Sequence, residues 1–468
     1  MKKLISLILI LCMCLGLFAS CIDRGAPDQS SSSTQKEESS SSSEEPSSKE
    51  PSSEESSSSE EPSSSSSTQE SAEPEVKELD NTVVNLMDGI EVLKGKDRIL
   101  DEEFISSQMA LSLTLFKESW NRSENENTLI SPLSVQIALA MTANGANGRT
   151  KSEMEGVLAD NIPLDDLNEY LASYVGNLPS SEKSKLSIAK SIWFRDRSFS
   201  VKNEFLYTNA NYYRAQIYKA KFDQTTVNSI NDWIDKSTDS MIQKVLEQIS
   251  NDTVMYLINA IAFDAKWEDP INEHSIYKDT FVNINSEGKE VDMMYKDGEY
   301  LYIETENATG FKKNYKGGDY SFVALLPREG VSINDYIASL DGEEIIDTLS
   351  GIQPSGDGVI CMPKFSYEYG IEMKEMLCEL GMPSAFSESA DFSNMTDNDV
   401  FISSVIHKTF ISVDNEGTRA AAVTVVEMKE ACEYKPAWSV ILDRPFVYMI
   451  VDNETNLPIF IGCLTDIQ

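Results

Sequence analysis

The feature that most constrains the fold is an apolar run near the middle of the chain. From Val254 to Phe263 the sequence is almost continuously apolar, and Asn259 is the one clearly polar residue in it. A strand covered on one face alternates apolar and polar residues, whereas a strand buried on both faces reads as an unbroken apolar run. The run therefore predicts a buried strand within a large sheet.

Other segments predict the remaining strands and helices. Further strands are expected at Phe322–Leu326, Val359–Met362, Phe401–Val405 and Phe446–Val451, the last of them pairing with Ile459–Leu464. Helices are expected where apolar residues recur every three or four positions, which they do at Ile105, Met109, Leu113, Phe116 and Trp120, and at Tyr369, Met373, Met376, Leu377 and Leu380 before Gly381. A helix should also open at Ser131-Pro132, and Thr150 with Glu153 forms a capping-box pattern for another. Together these expected strands and helices indicate a mixed α and β domain.

The N-terminus has the pattern of an export signal. Lys2 and Lys3 precede an apolar run, Leu4–Phe18, that is too short for a permanent membrane span. The run ends in LFASC, and small residues before a cysteine resemble a bacterial lipoprotein cleavage site at which Cys21 is lipidated, although Phe18 departs from the usual leucine. We expect an extracellular, cell-surface lipoprotein anchored to a bacterial membrane through Cys21. An ordinary secretory signal with an accidental cysteine is the alternative.

Composition divides the chain into three parts. Residues 1–20 form the signal, and residues 21–77 are mostly Ser, Glu and Pro, a composition that cannot bury enough apolar surface to fold. Residues 78–468, roughly 390 of them, read as one domain because no second linker or repeat interrupts them. We therefore predict a lipoprotein signal peptide, a disordered tether and a single folded domain.

Several function classes are disfavoured by charge and motif content. A formal net charge of -38 opposes binding to phosphates, so no nucleic-acid partner is expected. With only two histidines, no Walker loop and no Gly-x-Ser-x-Gly, the chain lacks the usual catalytic patterns, and neither a cofactor nor a metal is expected. A match to the Ser-x-x-Lys pattern of penicillin-recognising enzymes, Ser187 with Lys190, stands in a strand-like segment without a following Lys-Thr-Gly. We expect no enzymatic activity.

The most informative segment follows a strand at Thr409–Val413. In the segment 418–429, every second residue, starting with Thr418, is small or apolar. The residues between them, starting with Arg419, include all of the charged residues of the segment. Alternate side chains of a strand face opposite ways, so the segment can form a strand with one buried face and one wetter face. Gly417 supplies a backbone pivot. An ordinary strand or a short helix would also fit this periodicity.

These residues resemble the serpin family. Glu416, Gly417 and Thr418, followed by Ala420, Ala421 and Ala422, resemble the hinge of the serpin reactive-centre loop. The resemblance extends over essentially the whole domain, through NTLISPLSV from Asn127, GANGRT from Gly145, Asn231-Asp232-Trp233, LINAI from Leu257, Trp267, MPKF from Met362, VIHK from Val405, DRPF from Asp443 and IFIG from Ile459. It implies an α+β fold with three β-sheets, eight to nine helices and an exposed reactive-centre loop.

The resemblance also implies a mechanism. A serine protease attacks the exposed loop, the cleaved loop inserts into the large sheet as a new strand, and the protease stays trapped as an acyl-enzyme. The scissile bond would be Ala431–Cys432, fourteen residues after Gly417, which favours an elastase-like or subtilisin-like extracellular serine protease. The register leaves Met428, Lys429 and Tyr434 open, and Lys429 would favour trypsin-like enzymes.

Further roles carry over by the same resemblance. Residues that gate insertion would be Ser131, Ser134, Asn259, Trp267 and His407, with ordinary polar packing in the core as the alternative for each. Two departures stand out, since Arg419 replaces a usual acidic residue and the Asp239-Ser240-Met241 segment lacks a glycine. The chain is expected to be a monomer. A serpin fold used as a non-inhibitory binding module on the cell surface, and a penicillin-recognising hydrolase, are the two rival functions.

Overall fold

A computed structural model describes residues 83–92, 97–160, 162–196, 200–418 and 436–467. The signal and the tether lie outside these residues. So do Cys21, Ala420, Ala421, Ala422, Ala431 and Cys432, and the predictions made for them stay predictions.

Nine α-helices form within the described residues, as the family resemblance predicts. They are α1 (Glu102–Asn121), α2 (Pro132–Ala143), α3 (Gly148–Ala159), α4 (Leu164–Asn177), α5 (Asn203–Tyr213), α6 (Gln224–Ser237), α7 (Ile333–Ser339), α8 (Gly342–Gly351) and α9 (Lys374–Leu380). Two short 3₁₀ turns lie at Glu273–Ser275 and Pro383–Phe386. Ser131 caps α2 by accepting a hydrogen bond from the Ser134 N–H, and Pro132 occupies the first turn, so the prediction for this helix is confirmed.

Two details of the helix predictions are wrong. Helix α3 begins at Gly148, so Thr150 lies within its first turn and caps nothing. Its hydroxyl instead accepts a hydrogen bond from the Asp391 N–H (2.9 Å), and Glu153 accepts one from the Ser384 N–H (2.9 Å). Tyr369 belongs to a strand, because its pairing to the neighbouring strand overrides the helical spacing of the residues that follow it.

The large sheet has seven strands in the order β1-β4-β3-β5-β13-β12-β11. Their bounds are β1 (Val84–Asn85), β3 (Ser184–Arg195), β4 (Gln216–Ala220), β5 (Met255–Lys266), β11 (Phe365–Glu372), β12 (Ser404–Val413) and β13 (Gly417–Thr418). The apolar run predicted as a buried strand is β5, and all of its residues from Met255 to Phe263 are buried. The strand predicted at Phe401–Val405 begins only at Ser404.

The other strands form a nine-stranded network in the order β14-β10-β7-β8-β9-β15-β16-β2, with β6 also paired to β7. They are β2 (Thr128–Ile130), β6 (Ile276–Val282), β7 (Gly288–Glu304), β8 (Ala308–Asn314), β9 (Tyr320–Pro327), β10 (Pro354–Pro363), β14 (Trp438–Ile441), β15 (Phe446–Asp452) and β16 (Pro458–Leu464). The early part of β7 pairs with β6 and β10, whereas its last residues, Leu301–Glu304, pair with β8. The long strand β7 therefore joins β6 and β10 to β8 within one continuously paired network.

Two apolar layers cover the large sheet. The main core lies between the large sheet and the second network, where every residue of α2 is buried. The opposite face of β3, β4 and β5 is covered by α6 and the chain that follows it. Asp239 and Ser240, in the segment that lacks a glycine, both have positive φ (49° and 60°), so non-glycine residues here occupy the strained left-handed region.

Candidate functional site

The predicted hinge enters the upper end of the large sheet. Gly417 and Thr418 form β13 between β5 and β12, where Thr418 lies opposite Ala265 on one side and Val413 on the other. A Cβ on Gly417 would lie 2.1 Å from the Ala265 carbonyl oxygen, so only glycine allows this approach. Thr418 shares a face with its two opposite residues, and its side chain therefore points into the main core.

Lower down, the same two strands bond to each other directly. Tyr256–Ala260 of β5 pairs in parallel with Ser404–Lys408 of β12. Between this closed section and β13, no strand among the described residues pairs with the facing sides of Ile261–Phe263 and Thr409–Ile411. The sheet is thus closed below and holds Gly417 and Thr418 of the hinge above.

Trp267 fixes the chain that leads into the hinge. This buried residue follows β5 directly, and its backbone N–H donates to the Glu416 carbonyl (2.8 Å) while its indole Nε1–H donates to the Asp414 carbonyl (2.8 Å). Its ring stacks on Tyr315 at 4.5 Å between centroids. The Tyr315 hydroxyl is 2.6 Å from the Thr418 hydroxyl, so the indole and the phenol together hold both sides of Gly417.

Two further residues brace the turn before the hinge, and the sequence analysis did not identify them. The Asp414 carboxylate accepts hydrogen bonds from the N–H groups of Glu416 (2.8 Å) and Gly417 (3.1 Å). Lys364 donates to the Asn415 side-chain oxygen (2.6 Å). An aspartate two residues before another polar residue and a glycine is a turn signal. Lys364 stands in the MPKF segment of the family resemblance, which does not indicate this contact, and no local signal marks Tyr315.

Four predicted gating residues meet beneath the closed section. The Ser131 N–H donates to His407 Nε2 (3.0 Å), and the Asn259 side-chain amide donates to the Ser134 carbonyl. His407 and Asn259 face each other across β12 and β5, and all four residues are buried. Trp267 lies apart from them, at the upper end of the sheet beside the hinge.

This cluster is incompletely bonded. Within the described residues, Ser134 Oγ, Asn259 Oδ1 and His407 Nδ1 are buried without a hydrogen-bond partner. Burial lowers the pKa of His407 to about 4, so its ring is neutral at physiological pH and its Nε2 can accept. Unsatisfied buried polar atoms are costly, so the closed section is less stable than an apolar one would be.

The described residues offer little chemistry of other kinds. They contain no group of three or more His, Cys, Asp or Glu side chains that could hold a metal ion. Ser187 and Lys190 lie on the regularly paired strand β3, where positions three apart point to opposite faces. A lysine cannot activate a serine from the other side of a sheet, so the penicillin-recognising pattern is accidental. No described helix has the length and apolarity needed to span a membrane.

Comparisons with known proteins agree with this geometry. The family model for serpin (serine protease inhibitor) matches residues 106–467. A serpin-like protein of Methanosarcina acetivorans is 31% identical over 353 residues, which covers 72% of this chain and 81% of that protein. The thermophilic serpin tengpin in its native state superposes with a TM-score of 0.79 at 46% identity, covering 82% of this chain and 100% of that one.

The same relative in its latent state gives a lower TM-score, 0.71 at 46% identity, covering 80% of this chain and 100% of that one. The described structure is therefore more similar to the native state of that relative than to its latent state. The chain belongs to the serpin family, whose members are generally protease inhibitors rather than enzymes.

Proposed function

We propose that this chain inhibits an extracellular serine protease as a suicide substrate. The observation that carries the proposal is the large sheet itself, in which, among the described residues, β5 and β12 pair directly below and Gly417 and Thr418 lie between them above. A sheet in this state can accept one more strand. Cleavage of the loop would free that strand to enter while the acyl-enzyme is still attached.

The register of β13 predicts which residues of β5 and β12 each loop residue would lie opposite after insertion. Thr418 lies opposite Ala265 and Val413, so continuing the strand would bring Thr424 opposite Asn259 and His407. Ala420, Ala422 and Thr424 would then share the core face with Thr418. Small residues fit there without displacing the core, and the Thr424 hydroxyl would reach the cluster in which three buried polar atoms lack a hydrogen-bond partner among the described residues.

The same register gives the departure at Arg419 a physical reason. Arg419 would arrive opposite Asp264 on the other face of the sheet, where the family's usual acidic residue would meet a like charge. Opposite charges directly across a pair of strands are favourable, by roughly 0.2–1 kcal/mol. Arginine at this position therefore suits insertion in this chain.

Insertion has a cost and a gain. The five neighbouring β5–β12 pairs from Tyr256–Ser404 to Ala260–Lys408 must separate. A strand of about fourteen residues at roughly 3.3 Å each would form two new ladders and move its end by some 45 Å. Ladder bonds contribute roughly 0.5–1.5 kcal/mol net each, so insertion gains on the order of 10 kcal/mol. The native state would therefore persist through a kinetic barrier.

The proposed inhibitor acts on proteases with a shallow primary pocket and is held at the outside of a bacterial membrane. A scissile bond at Ala431–Cys432 presents a small residue to a shallow primary pocket, as elastase-like and subtilisin-like enzymes have. Lipidation at Cys21 and a charged tether over residues 21–77 would hold the inhibitor, as a monomer, away from a bacterial membrane. Proteases outside the cell would then meet the loop first.

Insertion can be tested without any target enzyme. The loop is cut with a protease that is not inhibited, and thermal unfolding of cut and intact chain is compared. We expect the cut chain to unfold at a much higher temperature, because a full new strand joins the sheet. An unchanged or lower midpoint would refute insertion and favour a non-inhibitory binding role for the fold.

A further inference from the structure

Lys313 is a buried lysine beside Trp267, which is called the hinge anchor here because it bonds the Asp414 and Glu416 carbonyls. It lies on β8, only 2% of its surface is exposed, and its Nζ donates to the Asp269 carbonyl (2.6 Å). The ammonium lies 5.4 Å from the ring centroid of Trp267 and 5.1 Å from that of Tyr300. Among the described residues it forms a hydrogen bond to one backbone carbonyl and contacts with two rings, but no ion pair.

The charged groups that face Lys313 are already engaged. The chain after β5 contributes Glu268 and Asp269, and β7 contributes Lys296 and Tyr300. The Asp269 carboxylate accepts from Lys296 Nζ (2.9 Å) and from the Tyr300 hydroxyl (3.4 Å), and Glu268 accepts from an asparagine amide. No carboxylate among the described side chains therefore lies within hydrogen-bond distance of the Lys313 ammonium.

A buried ammonium without a carboxylate destabilises the folded state. The two rings offset part of the desolvation, and the carbonyl satisfies one of three N–H donors. Burial still outweighs the attraction of Asp269 and lowers the pKa of Lys313 to about 8. The neutral amine would keep the bond to the Asp269 carbonyl and lose most of the desolvation cost.

We propose that Lys313 is a proton-dependent destabiliser of the hinge anchor: its ammonium lowers the stability of the structure around Trp267 at neutral pH, and loss of the proton removes this effect. The same Trp267 holds the Asp414 and Glu416 carbonyls, so the effect acts at the point where the loop enters the sheet. An unfolded lysine stays charged up to about pH 10.4. Between about pH 8 and that value the unfolded chain binds more protons, so the native chain gains stability as pH rises.

One consequence rests on the proposed inhibitory function. A weaker anchor lets the uncut loop enter the sheet spontaneously, which would end the inhibitor's working life. Lys313 would then set that lifetime, and an apolar residue of the same length at this position would lengthen it several-fold at neutral pH.

The test compares the full chain with Lys313→Met, and with Lys312→Met as the matched control. Lys312 is the adjacent buried lysine. Its Nζ donates to the Asn456 side-chain oxygen (3.0 Å), so its ammonium contacts a different group from that of Lys313. We expect Lys313→Met to raise the urea midpoint at pH 7, and the gap from the parent chain to narrow by pH 9.5. The fluorescence of Trp267, taken as the part that is lost in Trp267→Phe, should change near pH 8 in the parent and in Lys312→Met. It should not change there in Lys313→Met.

These readouts need no protease. A lower midpoint for Lys313→Met at pH 7, or a Trp267 signal that titrates alike in all three chains, would overturn the role of Lys313. If Trp267→Phe does not fold, the total fluorescence titration of the three chains gives the same decision. A chain that shows the pH effect and yet traps no protease would instead refute the inhibitory function and leave the destabilising role intact.

Discussion

Replacing Thr418 by arginine is expected to turn the inhibitor into a substrate. Thr418 is 2% exposed, its hydroxyl lies 2.6 Å from that of Tyr315, and it stands opposite Ala265 and Val413 in the main core. Arginine loses that hydrogen bond, about 1 kcal/mol, and places an unpaired guanidinium among apolar side chains, a cost of several kcal/mol.

The consequence follows from a competition of rates. A barrier to insertion raised by about 4 kcal/mol slows that step roughly a thousandfold, since each 1.4 kcal/mol is about tenfold. Deacylation then precedes insertion, and the protease is released with the loop cut. The variant should still fold, because two hinge residues can leave the sheet without disturbing β5 or β12.

The assay measures how many inhibitor molecules are consumed for each protease molecule inactivated. We expect this number to rise steeply for Thr418→Arg, while Thr418→Ser, which keeps the hydroxyl, stays close to the parent. Circular dichroism of the uncut variant confirms that the fold is retained. If Thr418→Arg traps protease as efficiently as the parent chain, the insertion model is refuted.

Four other predictions follow from single positions. Gly417→Ala should expel the hinge and lower the urea midpoint, because its Cβ would lie 2.1 Å from the Ala265 carbonyl oxygen; an unchanged midpoint would contradict the close approach. Burial lowers the pKa of His407 to about 4, below its value of about 6.5 in the unfolded chain. The free energy of unfolding should therefore be highest above about pH 6.5 and fall by roughly 3 kcal/mol as pH falls towards 4, because the unfolded chain then binds a proton that the folded chain does not. Urea midpoints at pH 7 and 4.5 should show this loss in the parent and not in His407→Gln, and equal losses would contradict it. Ala431→Arg should shift inhibition towards trypsin-like proteases, and no shift would indicate another scissile bond. Cys21→Ala should move the protein out of the membrane fraction, and unchanged membrane association would argue against lipid anchoring.

Buried strands were the elements most predictable from sequence. The apolar run of β5 and the pair β15–β16 could be assigned because burial on both faces leaves a compositional mark that tertiary context does not remove. Local signals were less reliable. Thr150 and Glu153 have the spacing of a capping box, yet each bonds instead to a segment more than 200 residues away. Such contacts depend on the folded topology and leave no trace within a short window.

Some residues of the candidate site could be named from the sequence, whereas Tyr315 and the contacts that join the site could not. Family resemblance pointed to Trp267, but the bonds from its indole and backbone to the carbonyls before the hinge depend on where β5 ends relative to β13. Lys313 carried no signal, because a lysine in a strand normally reads as exposed. Only the structure places its ammonium against Trp267.

The central claim is covalent trapping, and a denaturing gel of the full chain mixed with elastase-like, subtilisin-like and trypsin-like proteases tests it most directly, with mass spectrometry of any released peptide. The account predicts a stable band at the summed mass of protease and cut chain, and a released peptide that begins at Cys432. Cleavage of the loop by every protease without such a band would contradict the inhibitory mechanism.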